Sequence, residues 1–94
     1  MGKLTTHILD TAHGRPGAGI AIALFRVDGG ARTLVVATRS NADGRCDAPL
    51  LAGGALVAGT YELDFSAGDY FAALGIPLPS PRFVDVVTLR FGIA

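Results

Sequence analysis

Two side chains in this sequence are of types that move protons or hold developing negative charge. His7 stands among Thr5, Thr6 and Ile8. An imidazole is the side chain that exchanges protons near neutral pH, so it suits a general base or a substrate-orienting group. A half-exposed or core histidine bonded to backbone is the plainer alternative. Arg45 closes the run Asn41-Ala42-Asp43-Gly44. A tight turn that sets a guanidinium at a strand start fits an oxyanion or carboxylate clamp, because its forked donors match that geometry. An ordinary solvated arginine is the alternative there. Cys46 follows directly, where the neighbouring arginine would favour a thiolate; without a resolving cysteine or histidine partner, a buried structural thiol fits better. Asp10 and Asp43 suit turns, by accepting local N–H bonds, and His13 falls in a turn open to solvent. No phosphate-cradling glycine loop, metal-spaced histidine cluster or nucleophile elbow is present.

The elements that must position these groups are short. Thirteen glycines and five prolines punctuate the chain, which favours strands over helices. Leu4–Asp10 has the Thr and Ile content of a strand, and His13–Gly17 reads as a turn. Gly19–Val27, apolar on both faces, reads as a covered strand. Asp28-Gly29-Gly30 marks a hairpin, with Thr33–Arg39 returning. One short edge strand is expected in the Gly/Ala-rich stretch around Leu56. In Thr60–Phe65, Tyr61, Leu63 and Phe65 alternate with Glu62 and Asp64, as in a half-buried strand. One helix is expected, with Ser66 as N-cap, Asp69 completing a capping-box-like pair, Gly75 at the C′ position and Pro77 ending it. Phe83–Ile93 is the most strand-like segment. The pattern is mostly β, a sandwich with one short α-helix.

Ninety-four residues suffice for one small domain, spanning 1–94. Eight Lys+Arg balance eight Asp+Glu, for a formal net charge of zero. That argues against nucleic acid and against a polybasic membrane-surface protein. Half the residues are hydrophobic and 17% charged, which excludes a disordered chain. A single cysteine excludes a disulfide framework and a cysteine-based zinc cluster. The start, Met1-Gly2-Lys3-Leu4, has no long apolar run behind its charge, and no apolar stretch reaches a membrane span. A cytoplasmic protein is expected.

The run Leu4-Thr-Thr-His7-Ile-Leu-Asp10-Thr-Ala-His-Gly14-Arg-Pro16 resembles the N-terminal signature of the 5-hydroxyisourate hydrolases, the enzyme branch of the transthyretin-like family. Further matches follow in order. Thr38-Arg-Ser-Asn41-Ala-Asp43-Gly44-Arg45 is similar to that family's turn into its catalytic arginine. Gly59-Thr-Tyr61-Glu-Leu-Asp-Phe65 with Gly68-Asp69-Tyr70-Phe71 resembles its strand-then-helix segment, and Pro81-Arg-Phe83-Val-Asp85 through Phe91 its next strand. The resemblance implies a transthyretin-like (prealbumin-like) β-sandwich and hydrolytic opening of 5-hydroxyisourate in urate breakdown. It implies no metal and no cofactor. It implies a homotetramer with sites in a channel between dimers. His7 matches the histidine that activates or orients water, and Arg45 the arginine that binds the substrate's oxygens and steadies the oxyanion.

That family continues into a His-x-His strand and a Tyr-Arg-Gly-Ser tail, with another catalytic histidine and further substrate contacts. This sequence reads Phe91-Gly-Ile-Ala94 instead, so the resemblance implies a sandwich short of roughly one hairpin of about 20 residues. The alternative functional reading is a transthyretin-like small-ligand-binding or assembly module without catalysis.

Overall fold

The β-rich reading is realised around one antiparallel sheet. In a computed structural model, which describes residues 2–94, strands β1 (Lys3–Leu4), β2 (Leu9–Asp10), β3 (Arg15–Pro16), β4 (Ala21–Asp28) and β5 (Ala31–Arg39) come first. β6 (Leu51–Ala52), β7 (Gly59–Ser66), helix α1 (Ala67–Ala73) and β8 (Val86–Ile93) follow. The main sheet runs β5-β4-β7-β8. The short pairs β1–β6 and β2–β3 supply the strands outside it.

Period-2 alternation sorts the sheet's residues onto two faces. Ile22, Leu24, Leu63 and Tyr61 lie on the inner face and, with Ile20, Leu50, Leu51 and Tyr70, make the core; Leu24 is fully covered. Leu4 and Ile8 press on that core from the segment that carries His7. The opposite face is a charged ladder. Arg32 meets Asp64 at 2.8 Å and Glu62 at 3.3 Å, and Arg90 Nε meets Glu62 at 2.9 Å. The Arg32 guanidinium also lies 3.7 Å from the Phe25 ring centroid. Glu62, read from sequence as the outward residue of a half-buried strand, is buried because these arginines cover it. Among the described residues, no helix is long and apolar enough to cross a membrane.

Several expected elements are adjusted by tertiary contacts. Leu4–Asp10 is not one strand: β1 pairs with β6, β2 pairs with β3, and the residues between them leave the ladder. The short edge strand lies at Leu51–Ala52 rather than around Leu56, because Gly53, at φ +56°, opens a single 3₁₀ turn over Gly53–Ala55. The helix forms where expected, but Ser66 closes β7 and its side chain caps nothing. The Gly68 amide instead donates to the Asp85 carbonyl at 2.8 Å, and Asp69 accepts from Arg82 at 2.6 Å. Those contacts draw Arg82–Asp85 to the helix start, so β8 begins at Val86 and Phe83 stands exposed. The helix end matches expectation: Gly75 takes φ +81°, and its amide reaches the Ala72 carbonyl.

Candidate functional site

The fold brings the two sequence-predicted residues into register. His7 and Arg45 form a single antiparallel bridge. Its closing bond runs from the Ile8 amide to the Gly44 carbonyl, 2.8 Å, from the residue after His7 to the residue before Arg45. The two therefore oppose each other without exchanging backbone bonds themselves. In such pairs side chains leave on the same face and come closest, with Cα atoms ordinarily about 4.5 Å apart. Both residues are exposed. Among the described residues neither the imidazole nor the guanidinium has a hydrogen-bond or ion-pair partner, so both heads are open to a ligand.

Arg45 owes its position to the turn before it. The Asn41 amide donates to the Arg45 carbonyl at 2.6 Å, and the Gly44 amide to the Asn41 carbonyl at 2.9 Å. The Asn41 carboxamide oxygen accepts from the amides of Asp43, 2.9 Å, and Arg45, 3.1 Å. Its nitrogen donates to Asp47 at 3.0 Å. Gly44 completes the turn at φ +78°, and a Cβ there would sit 2.3 Å from the Ile8 carbonyl oxygen. Only glycine lets the turn and the His7 segment approach so closely.

His7 is held from the other side. The Gly17 amide donates to the Ile8 carbonyl at 3.0 Å. Gly17 is itself fixed by buried Ser40, whose hydroxyl donates to the Gly17 carbonyl at 2.6 Å and accepts from the Ile20 amide at 2.9 Å. The adjacent residues Ser40 and Asn41 thus tie down the two halves of the bridge. Sequence reading finds Asn41 only as part of a turn and passes over Ser40. The Asn-x-Asp-Gly pattern is the available signal for Asn41, whereas the link from Ser40 to Gly17 spans 23 residues and has no local signature.

His7 borders an open groove of about 340 Å³ whose other walls include Leu9, Ile20, Phe65, Val87 and Leu89. Arg45 is not part of that lining. A larger hollow of about 610 Å³ lies by the proline-rich loop, where Arg82 and Asp85 already pair with each other. It holds no histidine and is lined by none of the bridge residues. Among the described residues no three His, Cys, Asp or Glu side chains converge as metal ligands.

The remaining candidates take structural roles. Asp10 accepts the His13 amide at 3.1 Å, the turn service its sequence position suggests, and the His13 ring at 2.8 Å. It also accepts the Tyr70 hydroxyl at 2.6 Å across 60 residues, a contact no local pattern announces. The Tyr70 hydroxyl, above all, and then His13 hold the Asp10 carboxyl below its ordinary range despite burial. The same bond, with burial, pushes the Tyr70 phenol up. Cys46 is half-buried against the core, and burial followed by the Asp47 charge pushes its thiol up. Arg45 does not activate it.

A chain with this geometry has recognisable relatives. The model of the HIUase/Transthyretin family matches residues 4–94. A 5-hydroxyisourate hydrolase of Ralstonia nicotianae is 60% identical over 94 residues, 100% of this chain and 80% of the relative. Among solved structures, the 5-hydroxyisourate hydrolase of Klebsiella pneumoniae superposes with a TM-score of 0.80 at 32% identity, covering 99% of this chain and 79% of that one. An (S)-allantoin synthase superposes with a TM-score of 0.90 at 40% identity, covering 98% of this chain but only 35% of that one.

Proposed function

The chain belongs to the HIUase/Transthyretin family, and from that premise we propose that His7 and Arg45 act together to hydrolyse its substrate. The reaction is the opening of 5-hydroxyisourate in purine catabolism, the activity its relatives are named for. The observation that supports these two residues is their bridge. Residues 38 positions apart stand opposite each other with unpartnered heads, and His7 borders an apolar groove. His7 takes a proton from water as its oxygen bonds to the ring carbonyl carbon. The guanidinium of Arg45 faces the oxygen that gains charge, where a fixed donor lowers the barrier. As the carbonyl re-forms, the ring C–N bond breaks and His7 returns the proton to the departing nitrogen.

We further propose one transthyretin-like domain that assembles as a cytoplasmic homotetramer. The exposed apolar residues Leu34, Val35, Val86 and Leu89 support association, since a lone soluble chain rarely leaves that much apolar surface open. Solution mass tests it: a monomer at micromolar concentration rules it out. For the catalytic pair, decay of freshly generated 5-hydroxyisourate is followed by absorbance. His7→Ala and Arg45→Ala should each lower kcat/KM by roughly 10²–10³-fold. If both variants match the parent chain, the two residues are not the site.

A further inference from the structure

Asn41 makes the turn bond expected of its type, to the Asp43 amide, and further contacts that bear on Arg45 or on the turn that carries it. Its backbone amide holds the Arg45 carbonyl at 2.6 Å while its side-chain oxygen holds the Arg45 amide at 3.1 Å. Both backbone groups of the arginine thus answer to one residue. The same oxygen takes the Asp43 amide, and the carboxamide nitrogen is braced by Asp47 at 3.0 Å. The Arg45 side chain, in contrast, has no polar partner among the described residues. The direction of its Cα–Cβ bond is therefore set by the backbone alone, and the backbone is set by Asn41. We propose that Asn41 is a positioning residue for the hydrolysis, aiming the Arg45 guanidinium across the bridge at the group His7 activates; this rests on the assignment of Arg45 made above.

The placement of these bonds separates positioning from simple stabilisation. The Asp43 and Arg45 amides lie at exposed residues, where water replaces a lost acceptor at small cost. The fold thus tolerates Asn41→Ala, which keeps the backbone bonds to the Arg45 carbonyl and the Gly44 amide. It leaves the Asp43 and Arg45 amides without their acceptor, so the Arg45 backbone is held at one end only. Misplacing a charge-stabilising group by about 1 Å costs on the order of 100-fold in rate. The loss falls on kcat more than on KM, because the guanidinium meets most of its charge in the transition state. The exchange Asn41→Asp with Asp47→Asn keeps every bond: the new carboxylate accepts the same amides and the new carboxamide donates to it.

The experiment is a double-mutant cycle with a structural readout. Asn41→Ala should lower kcat at least about tenfold, add nothing in an Arg45→Ala background, and speed hydrogen exchange at the Arg45 amide. The double exchange, Asn41→Asp with Asp47→Asn, should restore kcat to within about threefold of the parent. An equal loss with and without Arg45, or an unchanged Arg45 amide, overturns the proposal. So does failure of Asn41→Ala to fold, which would make the residue structural, or failure of the exchange to rescue. If Arg45→Ala is as active as the parent, the catalytic assignment falls and this proposal with it. If Arg45→Ala is slow and Asn41→Ala is not, only the positioning role falls.

Discussion

Replacing Gly44 by alanine separates two costs that the site imposes on one residue. The first is conformational: at φ +78° a Cβ costs about 1 kcal/mol. The second is the approach of the turn to the His7 segment. The added Cβ would lie 2.3 Å from the Ile8 carbonyl oxygen and 3.3 Å from the Gly17 amide nitrogen. Both neighbours are backbone, so relief requires moving one strand by about 1 Å, which opens the 2.8 Å bond from the Ile8 amide to the Gly44 carbonyl. Losing that bond adds about 1–1.5 kcal/mol. The sum is roughly 2–2.5 kcal/mol, or about 8–20 °C in melting temperature for a domain of this size. Gly29→Ala is the control: its φ is +60° but nothing lies within 4 Å of the added Cβ, so only the first cost applies, about 4–8 °C. Thermal melts of both variants, with kcat/KM alongside, make the comparison. Gly44→Ala should also lose roughly 10²-fold in kcat/KM, since His7 and Arg45 are pushed apart, while Gly29→Ala keeps full activity. Equal melting losses with unchanged activity in both would refute the idea that this close approach sets the site.

Two further outcomes follow from the buried and half-buried titrating groups. Asp10 is held below its ordinary range by the Tyr70 hydroxyl and then His13; burial lifts the Asp64 carboxyl, but the Arg32 and Thr88 bonds outweigh it and leave it low. Groups with lowered folded values stabilise the fold above the unfolded carboxylate range and lose that contribution as pH falls through their folded values. Melting temperature should therefore hold from pH 7 to about 5 and drop below about 4, and Tyr70→Phe should lower the neutral plateau and shrink the acid drop; an acid profile identical in Tyr70→Phe counts against the Asp10 bond. Cys46, with its thiol pushed up by burial and by Asp47, should alkylate at pH 8 about tenfold or more slower than glutathione, and Cys46→Ala should keep full hydrolytic activity.

Local pattern alone reveals the alternation of Tyr61, Leu63 and Phe65, the hairpin at Asp28-Gly29-Gly30 and the helix stop at Gly75. Each is decided by residues a few positions apart. Residue type and turn context also mark His7 and Arg45 as candidates, each beside a plainer structural alternative. The family resemblance pairs them, and the bridge that sets them opposite each other has no local signature. Apart from the short edge strand, displaced locally by the Gly53 turn, the departures originate in contacts distant along the chain. Ser66 reads as a cap, yet the helix start is satisfied by the Asp85 carbonyl, 17 residues on from Gly68. Glu62 lies on the face opposite the core, as the alternation implies, yet arginines from two other strands bury it. The single strand expected over Leu4–Asp10 breaks because its partners differ: β6 at one end, the loop of Arg45 in the middle, β3 at the other.

Mechanically, that break is a source of slack. Between the β1–β6 pairing and the His7 bridge, three steps on one side, Leu4 to His7, face six on the other, Arg45 to Leu51. The surplus contains Pro49, which has no amide to offer a ladder. An unbroken ladder allows side chains only at fixed intervals of about 3.3 Å, with alternate ones facing away. The extra residues of Cys46–Leu50 release Arg45 from that lattice, and its backbone is fixed instead by the Asn41 turn, while Cys46 and Leu50 on its far side are held against the core. Within those five residues Ala48 and Pro49, exposed and outside the core cluster, are accordingly where this connection can change while the core and the Asp47 brace on Asn41 stay as they are.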